Sequence, residues 1–395
     1  MTLLRPVFAT FLIFVVLQVT PPGFALPQDE SARALPSREC RPPLTIDPRA
    51  GRMTPLGTPG TSQTIWTTRQ KALRKGEIAQ ARIAAVHVAP GAAALRPFTA
   101  GVPLLTDPMR VARRNSVVAV TNGDYFEALR TADSVPEGAI VSKGKLLYSP
   151  VGWSDVIAID DSGTVFAGRV RTKARYRVVD RAYAIQSVNY PRLAAGQVTA
   201  FTSAWSRAYL PRNLWTAHVQ GGTVITVLSP RDGVRLPREG IVLAATTREG
   251  LAGLAEGVAV EVTIDPKSKR ERPLTFASGH GGLVLKRGQV QRICSAYENL
   301  LRPRTLIAWN GKGDLWLLVA SSGLPDPPDG IRRGGATKMQ MAAFARSLGA
   351  TDAAILDGGG STVLLTHESS KVRRLDLPTT SWIRPVPTVW AVVRD

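Results

Sequence analysis

Short apolar runs closed by glycine, proline or polar residues recur along the 395-residue chain. Ala353-Ala354-Ile355-Leu356 reads as a buried strand, and Val363-Leu364-Leu365 as the start of the next. Arg82-Ile83-Ala84-Ala85-Val86-His87-Val88 alternates with the two-residue period of a strand, and Ser116-Val117-Val118-Ala119-Val120 is a buried run. Further strands are predicted over residues 156–159, 165–167, 224–228, 258–264, 306–309 and 315–319, and residues 136–147 alternate like a hairpin. Helical periodicity is convincing in two places, around residues 107–115 and 338–347. In the second, Met341, Phe344, Ala345 and Leu348 share one face, Thr337 stands at the N-cap and Gly349 in the C′ role. Few helices among many short strands predict an α+β fold with a mostly antiparallel or mixed sheet.

The amino terminus departs from this pattern. Arg5 precedes an apolar run from Val7 to Val19, and Gly23-Phe24-Ala25 supplies small residues, so residues 1–25 are expected to be a secretory signal peptide. No later run is long enough to span a bilayer, and a secreted or cell-envelope protein is expected. Residues 26–63, rich in Pro, Arg, Gly and Thr, read as an arm or linker, and residues 64–395 as one large domain. In an oxidising compartment the two cysteines, Cys40 and Cys294, are expected to pair.

Charge narrows the partners. The formal net charge is +20, and losing Arg5 with the signal peptide leaves +19. An exported protein so basic suits anionic cell-surface glycans or glycopolymers. Basic residues such as Arg110, Arg113, Arg114, Lys173, Arg175 and the run Lys267 to Arg272 are scattered in sequence without a repeated aromatic stripe, so no nucleic-acid partner is expected. His87, His218, His280 and His367 lack paired metal-ligand spacing, and no cysteine cluster accompanies them. No cofactor is expected; a calcium or magnesium ion held by Asp124 and Asp357 stays open as the alternative, without a ligand-spacing signature behind it. His280, between glycines, is expected to be structural.

Two strand ends carry the candidate chemistry. Asp357 follows the strand ending at Leu356 and precedes Gly358-Gly359-Gly360-Ser361-Thr362, so a carboxylate stands beside open backbone and hydroxyls. Val120-Thr121-Asn122-Gly123-Asp124-Tyr125-Phe126 repeats the design with a second carboxylate, an amide and two rings. Arg304, in Pro303-Arg304-Thr305 at the mouth of a predicted strand, offers a planar fork to phosphate or carboxylate.

Together these motifs resemble the phosphodiester glycosidase family. The resemblance runs through Asn122 to Phe126, Pro303-Arg304-Thr305, Gly335-Ala336-Thr337, Leu348-Gly349-Ala350 and Leu356 to Thr362, with weaker matches at Asn189-Tyr190-Pro191-Arg192, Thr202-Ser203-Ala204-Trp205 and Arg384-Pro385-Val386. Ala308, Ser321 and Gln340 depart from the family pattern. The resemblance implies an exported hydrolase cleaving a glycosidic bond, with sugar-1-phosphodiester links in cell-surface polymers as the expected substrate. It implies Asp357 as nucleophile or base, Asp124 as second carboxylate and Arg304 as phosphate clamp. Asn122, Gly123, Tyr125, Thr305, Thr337, Gly358, Gly359, Gly360, Ser361 and Thr362 are the implied substrate-binding set. A glycosidase of a non-phosphorylated wall polysaccharide and a non-catalytic basic wall-binding protein are the alternatives.

Overall fold

The computed structural model describes residues 40–394, apart from 42, 45, 72–77, 129–133, 231–233, 271, 294, 296, 297, 299, 322–333 and 379–381. The expected signal peptide and Cys294 therefore lie outside the described residues. Strands dominate a single domain, and its α-helices, Pro108–Ala112 and Lys338–Ser347, fall inside the two segments with helical periodicity. Among the described residues no helix is long and apolar enough to cross a membrane.

An eight-stranded sheet holds Ile78–Val88, Leu315–Ser321, Arg304–Trp309 and Asp352–Ile355 side by side, each antiparallel to the next. Alternation divides its residues between two cores. Ile307, Leu317, Ala354 and Leu356 pack with Val118, Leu364 and Trp390 from a five-stranded sheet. Leu306, Ala308, Leu318 and Ile355 pack instead on Met341, Phe344 and Ala345 of Lys338–Ser347. Trp390 is fully buried, and its truncation to alanine is expected to cost about 3–5 kcal/mol.

The second helix follows from its sequence. Thr337 Oγ1 accepts the Gln340 N–H, and Gln340 Oε1 accepts the Thr337 N–H, so both ends of a capping box are present. That explains Gln340, which caps as a glutamate would. Gly349 follows the helix at φ +101°, the left-handed region that favours glycine.

Two expectations change. The sheet starts before residue 64, because Arg52–Pro55 pairs with the beginning of Thr61–Lys71. The Pro and Gly residues between them form the bend of a hairpin, with Gly60 at φ +73° and Leu56 reaching the core. Composition alone made that bend look like a linker. The strand expected over 165–167 runs on as Val165–Val178, fourteen residues, because its charged outer face hides the strand period. The hairpin within 136–147 is present as Ile140–Ser142 against Lys145–Tyr148.

Four chain segments reach one edge together. Val117–Asn122 ends there, Leu274–Gly279 ends there, and Arg304–Trp309 begins there beside the chain leaving Asp352–Ile355. Leu356 N–H donates to Thr305 O at 2.9 Å and Asp357 N–H to Gly123 O at 3.1 Å. The two carboxylate-bearing motifs thus meet, although they are far apart in sequence.

Candidate active site

Asn122 is the strut of this edge. Its Nδ2 donates to Asp357 O at 2.7 Å, while its Oδ1 accepts from Thr305 Oγ1 at 2.8 Å and Val363 N at 3.3 Å. The residue is 0 % exposed, as is Thr305. Neither is placed to read a sugar hydroxyl. Both fix where the Asp357 backbone leaves the strand, because a buried amide needs its hydrogen bonds made within the protein. Thr337 changes role likewise: it is buried and caps the helix.

Asp357 is half-buried at the mouth of this edge. Burial pushes its carboxyl above the ordinary carboxylate range, opposed by the Ser361 hydroxyl, the Gly358 N–H and the Arg384 charge. Gly358 N–H donates to Asp357 Oδ1 at 2.8 Å, and Gly359 N–H to Pro303 O at 3.0 Å. These two amides are therefore engaged within the protein and do not cradle a phosphate. A side chain at 358 would bring its Cβ to 2.6 Å from Pro303 O, which accounts for the glycine there. Ser361 and Thr362 are buried behind the loop, and Gly360 is half-buried within it.

Asp124 lies beneath, 2 % exposed, in a slot between Gly138 and Gly279. Gly138 N–H donates to Asp124 Oδ2 at 2.7 Å, and a Cβ on Gly279 would sit 2.0 Å from that oxygen. Burial drives its pKa up to about 8, and Glu137 and Asp357 push the same way against the Gly138 and Tyr125 N–H groups. Asp124 is thus a neutral acid near pH 7. Gly123 permits the close approach of Thr388, whose Oγ1 accepts the Asp124 N–H at 3.2 Å. The Tyr125 ring lies over the Gly281 backbone at the rim.

Three further residues belong to the site. Glu137 is exposed at the rim, and its carboxyl is raised by partial burial and by the charges of Asp357 and Glu127. Its signal lay in the Pro136-Glu137-Gly138 turn, which reads as hairpin chemistry. Arg384 is the cation that acts on Asp357, and its guanidinium stacks 4.8 Å from the Phe126 ring centroid. The weak Arg384-Pro385-Val386 match was its signal. His280 is half-buried and held neutral, its pKa lowered to about 4 by burial against the charge of Asp155. Its Nδ1 accepts the Gly282 N–H at 2.8 Å, leaving the proton on Nε2.

Arg304 takes another place. It is 4 % exposed, and its Nε and a terminal nitrogen donate to Ala336 O at 3.2 Å and Leu300 O at 3.4 Å. Strand alternation sends its side chain to the helix side, opposite Thr305, and it ties the Pro303-Arg304-Thr305 corner to the loop before the helix. Arg384, rather than Arg304, is the guanidinium whose charge acts on Asp357. No group of three or more His, Cys, Asp or Glu among the described residues is arranged to hold a metal ion.

Residues 213–393 match the family model of the phosphodiester glycosidases. That stretch holds Arg304, the Asp357 loop and Arg384, while Asp124 and Glu137 precede it. The fold is shared with a hypothetical protein from Synechocystis, at 22% identity and TM-score 0.66 over 86% of this chain and 64% of that one. It is also shared with a Burkholderia pseudomallei protein described as exported, at 17% identity and TM-score 0.63, covering 80% and 74% of the two chains. The zebrafish N-acetylglucosamine-1-phosphodiester alpha-N-acetylglucosaminidase catalytic domain aligns at TM-score 0.47 and 13% identity, over 87% and 88%. No curated protein matches the sequence. This chain spans less than two thirds of the Synechocystis protein's length.

Proposed function

We propose that this chain is an exported glycosidase that hydrolyses sugar-1-phosphodiester links, with Asp357 facing the anomeric carbon. The observation that carries the reading is the mouth itself. An accessible carboxylate is fixed by backbone bonds to Gly123 and Asn122, a stacked guanidinium acts on it, and a neutral acid lies beneath. The family match over residues 213–393 supports a glycosidase.

The chemistry follows from the leaving group. Cleaving the bond between the anomeric carbon and the phosphate oxygen releases a phosphate monoester that takes the electron pair and needs little protonation. Asp357 stabilises the oxocarbenium-like centre, as nucleophile or as base for water, and Arg384 stabilises the departing charge. Neutral Asp124 keeps a second negative charge out of a pocket that must admit an anion. Export is part of the reading. The amino-terminal apolar run supports it, and so does the disulfide at Cys40, a bond that persists in oxidising compartments.

One observation favours a second reading, hydrolysis of a non-phosphorylated glycan. Glu137 is a rim carboxyl with a raised pKa, which suits a general acid for a poor leaving group. A panel of glycosyl phosphodiesters and neutral glycosides decides between them. Release of free sugar from the phosphodiesters, with Glu137→Gln nearly as active as the parent, is the expected result. Turnover of neutral glycosides alone, lost in Glu137→Gln, selects the second reading. Salt-sensitive retention on wall material without turnover selects a binding protein.

A further inference from the structure

The basic residues that look scattered in sequence are aligned by the long strand Val165–Val178. Its outward positions are Arg169, Arg171, Lys173, Arg175 and Arg177, all exposed and two residues apart, while Phe166, Val170 and Tyr176 are buried on the other side. Alternate residues on one face of an antiparallel strand are about 6.8 Å apart, so five cations form a row roughly 27 Å long.

The row begins at the candidate site. Arg169 is registered opposite Asp155 and pairs with it at 3.2 Å, and the Asp155 carbonyl accepts the His280 N–H at 3.3 Å. The loop after His280 is itself bonded to the strand that delivers Asp357, through Gly281 N–H to Ile355 O at 2.9 Å. From there the strand runs past the end of its neighbour Ser154–Asp160, whose first residue faces Val170, and carries the remaining cations beyond the site edge. Trp153 lies at the start of the row, with Arg171 4.9 Å, Lys269 5.5 Å and Arg169 5.8 Å from its ring centroid.

The flanks leave the row open. On one side Arg175 and Arg177 are registered against Ala184 and Ala182, both small and exposed. On the other, Arg171, Lys173, Arg175 and Arg177 face Lys267, Asp265, Thr263 and Glu261. Among the described residues of the strands paired with it, the acids on this face are Asp155, Asp265 and Glu261. Arg169, Arg171, Lys173, Arg175, Arg177, Lys267 and Lys269 outnumber them. Among the described residues, Lys173, Arg175 and Arg177 have no ion pair within 4.0 Å.

From this juxtaposition we infer that the outer face of Val165–Val178 is a docking rail for an extended phosphodiester polymer, whose end it leads to the Asp357 mouth. The inference rests on the proposed glycosidase reading and deepens it: the substrate is polymeric, and repeating phosphates along the chain lie on repeating cations. Guanidinium groups suit phosphate through paired donors, and Trp153 offers a ring face for a sugar unit between charges.

The test reverses the rail in Arg171→Glu/Lys173→Glu/Arg175→Glu, all exposed positions, with urea unfolding of parent and variant showing that both are folded and Lys173→Gln/Arg175→Gln as a milder second variant. Two readouts separate the rail from the chemistry. In the first, binding to long-chain inorganic polyphosphate is followed against salt. The parent is expected to bind with a steep salt dependence, and the triple variant to lose about tenfold or more in affinity, with a slope shallower by roughly 0.7 per contact removed. In the second, kcat/KM is compared on a poly(glycosyl phosphate) and on a single small glycosyl phosphodiester. The polymer rate is expected to fall about tenfold while the small-substrate rate holds. Equal polyphosphate binding by parent and variant overturns the rail whatever the turnover shows. Single-stranded DNA bound as tightly as polyphosphate also overturns it, in favour of a nucleic-acid surface. If the rail binds as expected but neither substrate is turned over, the glycosidase reading fails and the binding surface stands.

Discussion

Replacing Asp124 with asparagine tests the buried acid directly. The substitution keeps the size and an oxygen to accept the Gly138 N–H, now received by Oδ2 at 2.7 Å, but it cannot ionise. In the folded protein the carboxyl keeps its proton up to about pH 8, whereas its ordinary value is 3.8. Between those values the native state holds one proton more than the unfolded chain, so this group makes stability fall as pH rises. The slope approaches 1.4 kcal/mol per pH unit, or about 3 kcal/mol between pH 5 and pH 7.5. Asp124→Asn removes that slope, and the other acids contribute to both proteins and largely cancel in the difference. Urea unfolding of parent and variant across this range is the assay. The variant is expected to gain on the parent steadily with pH. Parallel stability curves would show that Asp124 is already ionised at neutral pH, and the neutral-acid reasoning would be wrong.

Gly279→Ala places a Cβ 2.0 Å from Asp124 Oδ2 and 2.7 Å from Gly138 Cα, so the main chain must move. A loss of about 1–3 kcal/mol is expected, and an unchanged melting temperature would contradict the slot. Arg384→Lys keeps the charge but gives up the planar group stacked on Phe126, and about a tenfold loss in kcat/KM on a glycosyl phosphodiester is expected. Parent-like rates would remove Arg384 from the site. The disulfide at Cys40 is expected to join Cys294, closing a loop long enough to stabilise by about 5 kcal/mol in the chain-entropy model. Two alkylatable thiols in the unreduced protein would contradict that pairing.

The sequence made the helix Lys338–Ser347, its Thr337 cap and the strand leading to Asp357 readable, because apolar spacing and capping are local signals. It also singled out the motifs of Asn122 and Asp357, which meet in the fold. Their division of labour was not readable. Asn122, Thr305 and Arg304 have the chemistry of ligands, yet burial and hydrogen bonding make them supports, and burial depends on chain far away in sequence. Glu137 was hidden in a turn and Arg384 in a weak motif, because each gains its meaning from proximity to Asp357. The cation row shows the same limit. Only the register of Val165–Val178 against its neighbours reveals that alternate basic residues share one open face.

The chemistry proposed for this mouth rests on the charge of Asp357. Its most direct test is the rate of sugar release from a glycosyl phosphodiester by Asp357→Asn against the parent, with both proteins shown to unfold at similar urea concentrations. The asparagine retains the shape of the loop but not the charge that faces the anomeric centre. Turnover is expected to be lost in a folded protein. Activity within a few-fold of the parent would contradict it.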